Sequence, residues 1–187
     1  MPYVTVGQAV ARSRRSWPNA AVAETEIRKS AGTSYDTNFD VFLSHSYEDA
    51  EVITGIKGLI EDQGLSVYVD WIVDPEADRS QVTPATANML RRRMNRCEFL
   101  LYASSDAAKG SKWMPWELGY FDGSKPNHIG VVPIVASASS SFCGQEYLGL
   151  YPYFELIDME QIGLALAHDI DERTARVLRA AVRNGVV

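Results

Sequence analysis

The chain has 187 residues, a formal net charge of −6, 46% hydrophobic and 22% charged residues. That is enough for one well-packed domain with appendages, and the acidic balance excludes a nucleic-acid-binding face, which needs clustered Lys and Arg. Two cysteines (Cys97, Cys143) and three scattered histidines (His45, His128, His168) exclude a disulfide framework and a zinc site, and no apolar run reaches the length of a membrane span or a signal-peptide core.

A cytoplasmic protein with no metal, no nucleic-acid partner and no membrane partner is therefore expected. Val4 to Ala11 reads as a short amphipathic helix, interrupted by Arg12-Ser13-Arg14-Arg15 and Pro18. Ala20 to Lys29 is helix-permissive, and Ser30 to Asn38 is a polar linker. Residues 1–37 thus form an N-terminal helical extension, and the domain proper spans 38–187.

Phe39-Asp40-Val41-Phe42-Leu43-Ser44 is a compact apolar run with strand character. Ser46 followed by Asp49 has the spacing of a capping box opening a helix. That helix carries Val52, Ile53, Ile56, Leu59 and Ile60 on one face and stops at Gly64. Leu65 to Val69 is a second strand ending at Asp70-Trp71, so the first unit is strand, helix, strand with a right-handed parallel crossover. Residues 72–83 form a long connection, of the length that in compact domains serves function or moves. Thr83-Pro84 starts a helix to about Asn95 with Ala85, Met89 and Leu90 inward. Its basic run Arg91-Arg92-Arg93, with Arg96, reads as a solvated face. Cys97 to Ala103 is a third strand, Ser104 to Ser111 a polar loop, Ile129 to Val135 a fourth strand and Tyr153 to Ile157 an edge strand. Glu160 to Arg183 reads as one long or two broken terminal helices.

Between the third and fourth strands lies Lys112-Trp113-Met114-Pro115-Trp116-Glu117-Leu118-Gly119. Ser111 can cap a helix whose first turn holds Pro115, where a missing N–H is tolerated. Trp113 and Glu117, four apart, then share a face. An indole surface beside one carboxylate suits a ligand with a ring and a vicinal diol, such as a nucleotide ribose; the alternative is two core tryptophans and a solvated glutamate. Alternating strands and helices predict an α/β three-layer sandwich around a central parallel five-stranded sheet. Ligands in such sheets bind at the carboxyl ends of the strands. Here those ends are Ser44-His45-Ser46, Asp70-Trp71 and the loop leading to Trp113 and Glu117, three segments converging on one cleft.

Phe39 to Ser46 with Asp49 resembles the opening strand and helix start of TIR (Toll/interleukin-1 receptor) domains. Gly64 to Asp70 is similar to their second strand, residues 71–83 fall where that family has its BB loop, and Trp113-Met-Pro-Trp-Glu117 matches the W-x-x-x-E signature of catalytic members, above all stand-alone bacterial ones. The resemblance covers about residues 38–160. It implies a flavodoxin-like fold and cleavage of the nicotinamide–ribose bond of NAD, giving nicotinamide and ADP-ribose or a cyclic ADP-ribose signal, in bacterial anti-phage defence. It implies that Glu117 is catalytic and that Trp113 packs on the substrate, with NAD as substrate and no further cofactor. It also implies a homo-oligomer built through TIR–TIR contacts and a separate effector protein responding to the product.

Ser44, His45, Ser46, Asp70 and Trp71 complete the candidate NAD-binding set. The helix start at Ser46-Tyr47 offers N–H groups to a pyrophosphate, against which Glu48 and Asp49 weigh. His45 is either a strand-end residue or a ligand contact, Asp70 and Trp71 either ribose contacts or a buried strand end. Arg79 is a candidate phosphate contact in the long loop. Two other readings stand beside the enzyme: a catalytically silent TIR adaptor, and a nucleoside deoxyribosyltransferase-like enzyme, which also sets a glutamate at a ribose. A flavin-binding relative is disfavoured because the loop after the first strand lacks a Ser/Thr/Gly-rich phosphate cradle.

Overall fold

The computed structural model describes residues 3–18, 33–62, 64–74, 83–156 and 164–166. The helix expected over Ala20–Lys29, the phosphate contact assigned to Arg79 and most of the expected terminal helix lie outside them.

Five parallel strands form the sheet: β1 (Val4–Thr5), β2 (Phe39–Ser44), β3 (Val67–Tyr68), β4 (Cys97–Ser104) and β5 (Ile129–Val135), in the order β1-β5-β4-β2-β3. Helix α1 (Val6–Ser16) and α2 (Ala50–Glu61) cover one face; α4 (Pro84–Asn95) and α5 (Trp113–Ser124) belong to the other, and a single turn, α3 (Asp70–Val73), follows β3. The alternation along β2 explains the layering. Val41 and Leu43 join Ile53, Ile56 and Ala9 in one core, and Phe42 joins Leu90, Met94, Leu118 and Phe121 in the other. This is the expected three-layer, flavodoxin-like α/β sandwich. Strand order reverses between β2 and β4, so the crevice for a ligand lies at their carboxyl ends.

The amphipathic stripe of α2 is buried as its pattern requires, and Gly64 turns the chain at φ +79°. Several local expectations change. The N-terminal segment enters the sheet before it becomes helical: Val4 and Thr5 pair with Ile134 and Val135, and the Thr5 hydroxyl and Gln8 side chain form a capping box that opens α1 at Val6. Nor do the arginines interrupt α1, because Arg12 forks onto Asp62 at 2.7 Å through both Nε and Nη2, and Arg14 reaches Glu51. The Ser46/Asp49 capping box is not formed; a 3-10 turn over Tyr47–Asp49 precedes α2, and Asp49 accepts from the Ser105 hydroxyl. Ala85 is exposed. Tyr153 reaches the expected edge by one parallel bridge to Val131, after which β6 (Phe154–Leu156) pairs antiparallel with β7 (Leu164–Leu166). Residues 164–166, expected to belong to one long or two broken terminal helices, are instead a strand with a partner.

Arg93 is the clearest correction. Although read with its neighbours as solvated, it is fully buried on the stripe Leu90, Arg93, Met94. Its guanidinium takes both oxygens of Asp74 at 2.8 Å and donates to the carbonyls of Thr33 and Ser34. The rings of Tyr35 and Tyr68 flank it at 4.5 and 5.4 Å. A buried charge is tolerated only when paired in this way. The clamp holds the end of α3, helix α4 and the segment before β2 as one piece.

Candidate active site

Helix α5 brings the carboxylate to the crevice. Ser111 Oγ accepts the Met114 N–H at 3.2 Å, and Pro115 occupies the third helical position, where no donor is needed. Trp113, Met114, Glu117, Leu118 and Phe121 form the buried face. Trp113 and Glu117 therefore share a face as their spacing requires, and Glu117 is 0% exposed. Its Oε2 accepts the Ser44 hydroxyl at 2.6 Å, across 73 residues of sequence. Ser44 is the last residue of β2, so the contact lies at the strand-order reversal. A donor this short and this buried fixes the carboxylate against the sheet.

A second cluster uses the next residue. His45 is buried, with Nδ1 2.7 Å from the Leu43 carbonyl, while the Trp71 indole N–H donates to its Nε2 at 3.1 Å. An indole N–H can only donate, so this contact uses Nε2 as the acceptor and turns Nδ1 towards the Leu43 carbonyl. Asp70, also buried, places Oδ1 3.3 Å from the same Nε2. Trp71 stands edge-on between Trp17 and Tyr47. Ser46 caps no N–H with its side chain. So Ser44 and Glu117 meet in one cluster and His45, Asp70 and Trp71 in another, joined through adjacent residues of one strand end. Both His45 nitrogens are already engaged, which makes the imidazole a brace for the Trp71 indole.

Against this geometry, sequence comparison is decisive. The chain is 51% identical over 134 residues, 70% of its length and 69% of the relative's, to a protein of Bacillus cereus (strain MSX-D12) named "Probable 3' cyclic ADP-D-ribose synthase ThsB'". The chain belongs to the TIR-domain family. It is also 32% identical over 83 residues to the "Putative cyclic ADP-D-ribose synthase TIR2" of Cytobacillus dafuensis, covering 44% of this chain and 22% of that protein. No family model matches the chain.

Around Glu117, this TIR domain adds groups that sequence reasoning passed over. Tyr102 is the rung partner of Ser44 on β4 and is fully buried. Burial above all, with the Tyr147 hydroxyl and the charge of Glu117 adding to it, pushes the Tyr102 phenol well above the ordinary range; a hydrogen bond from the Gln145 side chain works the other way. Strand periodicity alone could have flagged Tyr102, since it lies two residues before the carboxyl end of a recognisable strand. Tyr147 and Gln145 lie in a loop with no such signal. Among the described residues of the TIR domain, no group of three His, Cys, Asp or Glu side chains is placed to hold a metal, and no helix is long and apolar enough to cross a membrane.

Proposed function

We propose that this chain cleaves the nicotinamide–ribose bond of NAD, with Glu117 as the catalytic group, and releases nicotinamide with ADP-ribose or a cyclic ADP-ribose signal. The observation that carries the reading is the Glu117 carboxylate fixed on Ser44 at the strand-order reversal, in a chain half identical to a named cyclic ADP-D-ribose synthase. Breaking the C1′–N bond sends its electron pair to nicotinamide, which leaves neutral and needs no strong acid. The ribose gains oxocarbenium character, as in glycoside hydrolysis. An ionised Glu117, hydrogen-bonded to the ribose 2′- and 3′-hydroxyls, stabilises that charge in a site shielded from water. A nucleophile then closes on C1′ and loses its proton: water gives ADP-ribose, a group of the same dinucleotide gives the ring. Trp113 stacks on the base, and Ser44, Ser46, His45, Asp70 and Trp71 form the remaining wall.

The domain carrying this activity spans 38–187, with 1–37 as its extension. The burial of Glu117 in the single chain supports an opening step, which we assign to self-assembly through TIR–TIR contacts. The product acts on a separate effector in cytoplasmic anti-phage defence, and no cofactor beyond the substrate takes part. The test incubates purified protein at high concentration with NAD, follows nicotinamide, and resolves the nucleotide products by chromatography and mass. Nicotinamide release lost in Glu117→Gln is the expected result. No release from wild type, alone or under crowding, overturns the reading.

A further inference from the structure

Beside the carboxylate stands a row of polar groups that the reaction as written does not use. Ser44 and Tyr102 share one rung of adjacent parallel strands, so their side chains leave the sheet on one face. The Ser44 hydroxyl holds Glu117, and the Tyr102 phenol feels the Glu117 charge. On its other side the phenol lies 3.5 Å from the Tyr147 hydroxyl, the outer limit for a bond, which sets the segment carrying Gln145 beside it, and the Gln145 side chain favours the phenolate. Tyr102 thus stands between a carboxylate and an amide. The amide is only half used: Gln145 Oε1 is buried and has no hydrogen-bond partner among the described residues. A buried acceptor in that state has lost its water with no bond in exchange, and native folds keep few of them.

We propose that Gln145 is a specificity-determining residue that reads an exocyclic N–H₂ on a base of the substrate, held in place by Tyr102. The proposal rests on the NAD-cleavage reading. An acceptor selects donors, so phosphate oxygens and the ribose ring oxygen are excluded, and Glu117 takes the ribose hydroxyls. Apart from the hydroxyls of the adenosine ribose, the donors left on NAD are the nicotinamide carboxamide and the adenine amine. Both are planar groups on rings that stack, which fits an amide set beside a buried phenol. Gln145 touches the base; Tyr102 is a positioning residue that aims it. A site built to accept such a hydrogen bond discriminates strongly against analogues that lack it.

The experiment compares kcat/KM of wild type, Gln145→Leu and Tyr102→Phe on three dinucleotides: NAD, the 3-acetylpyridine analogue, which lacks the carboxamide N–H₂, and the hypoxanthine analogue, which lacks the adenine amine. The readout is the preference for NAD over each analogue in a variant relative to wild type, which cancels differences in leaving-group reactivity. Gln145→Leu is expected to reduce one of the two preferences by about tenfold or more. Loss on the acetylpyridine arm assigns the carboxamide, and loss on the hypoxanthine arm assigns adenine. Tyr102→Phe keeps the ring packing and is expected to lower the same preference by a smaller factor, so it stands in if Gln145→Leu does not fold. Turnover of NAD with both preferences unchanged in the variants overturns this proposal and leaves NAD cleavage standing. Absence of wild-type turnover overturns both.

Discussion

Replacing Glu117 by Gln keeps the side chain's size and an oxygen for Ser44 to donate to, but removes the charge. Nicotinamide release is expected to fall by at least ~10²–10³, the usual cost of one preorganised group, with the melting temperature little changed. Unchanged NAD consumption would remove Glu117 from the mechanism. Trp113→Ala should weaken substrate use and shift any cyclic product towards linear ADP-ribose; an unaltered product ratio would show that the indole does not orient the base. Arg93 makes the opposite prediction, a structural one. Arg93→Leu leaves the mostly buried Asp74 carboxylate without its counter-charge and with the Tyr68 hydroxyl as its remaining donor, and breaking such a pair costs about 3–5 kcal/mol. Arg93→Lys cannot reproduce the fork and should recover little of it. Urea titration checks both, and a loss under about 1 kcal/mol for Arg93→Leu would make the clamp incidental. Its burial was partly legible, since Leu90, Arg93 and Met94 fall on one helical stripe, but three consecutive arginines read more simply as a wet face. The Ser44–Glu117 contact was not legible as a contact, since nothing local links residues 73 apart.

At the scale of elements, the packing of α1 on α2 is set by glycine. A Cβ on Gly55 would run into the Ala9 carbonyl, a backbone atom that cannot step aside. A Cβ on Gly58 would meet only the tip of the Arg12 side chain. Glycine to alanine in a helix normally stabilises by roughly 0.5–1 kcal/mol. Gly55→Ala should reverse that sign and lower the melting temperature, while Gly58→Ala should lie near wild type; equal effects would mean that the two helices separate without cost. The elements with long apolar patterns, β2, α2, β4 and β5, were readable because burial on one face or both imposes a period. The two-residue strand β1 has too few positions to carry any period, and α1 ran through its arginines because Asp62 and Glu51, distant in sequence, receive them. Residues 164–166 misled for a third reason: a short apolar run is compatible with helix or strand, and only its partner decides.

For the whole molecule, buried acids set the alkaline limit. Burial pushes the Cys97 thiol from its ordinary 9.0 up to about 12, against a partial counter-effect from Lys125 and Arg93. Burial likewise raises Tyr68, with Asp74 and Asp70 adding to it. In each case the unfolded chain gives up its proton first. Stability should therefore stay level to about pH 9 and fall as pH rises towards 12, because the folded state binds more protons throughout that window. Melting temperatures across pH 7–11 check the sign, and Cys97→Val should flatten the first part of the decline. Thiol titration should find the exposed Cys143 reactive in the native protein and Cys97 only after unfolding.

The sheet ends in two very short strands, Val67–Tyr68 on one side and Val4–Thr5 on the other. Behind the latter lies β5, seven residues all buried, reading Ile-Gly-Val-Val-Pro-Ile-Val. A long apolar strand with a bare edge is a template on which further chains add, and natural proteins blunt such edges. Val4 and Thr5, with Tyr153 at Val131, do the blunting here. Chains begun at residue 38 should scatter light and bind amyloid dyes on warming, whereas the full chain should not. Val4 and Thr5 then act as a guard against fibre growth, and whatever grips or releases them also sets how much of the protein stays in solution.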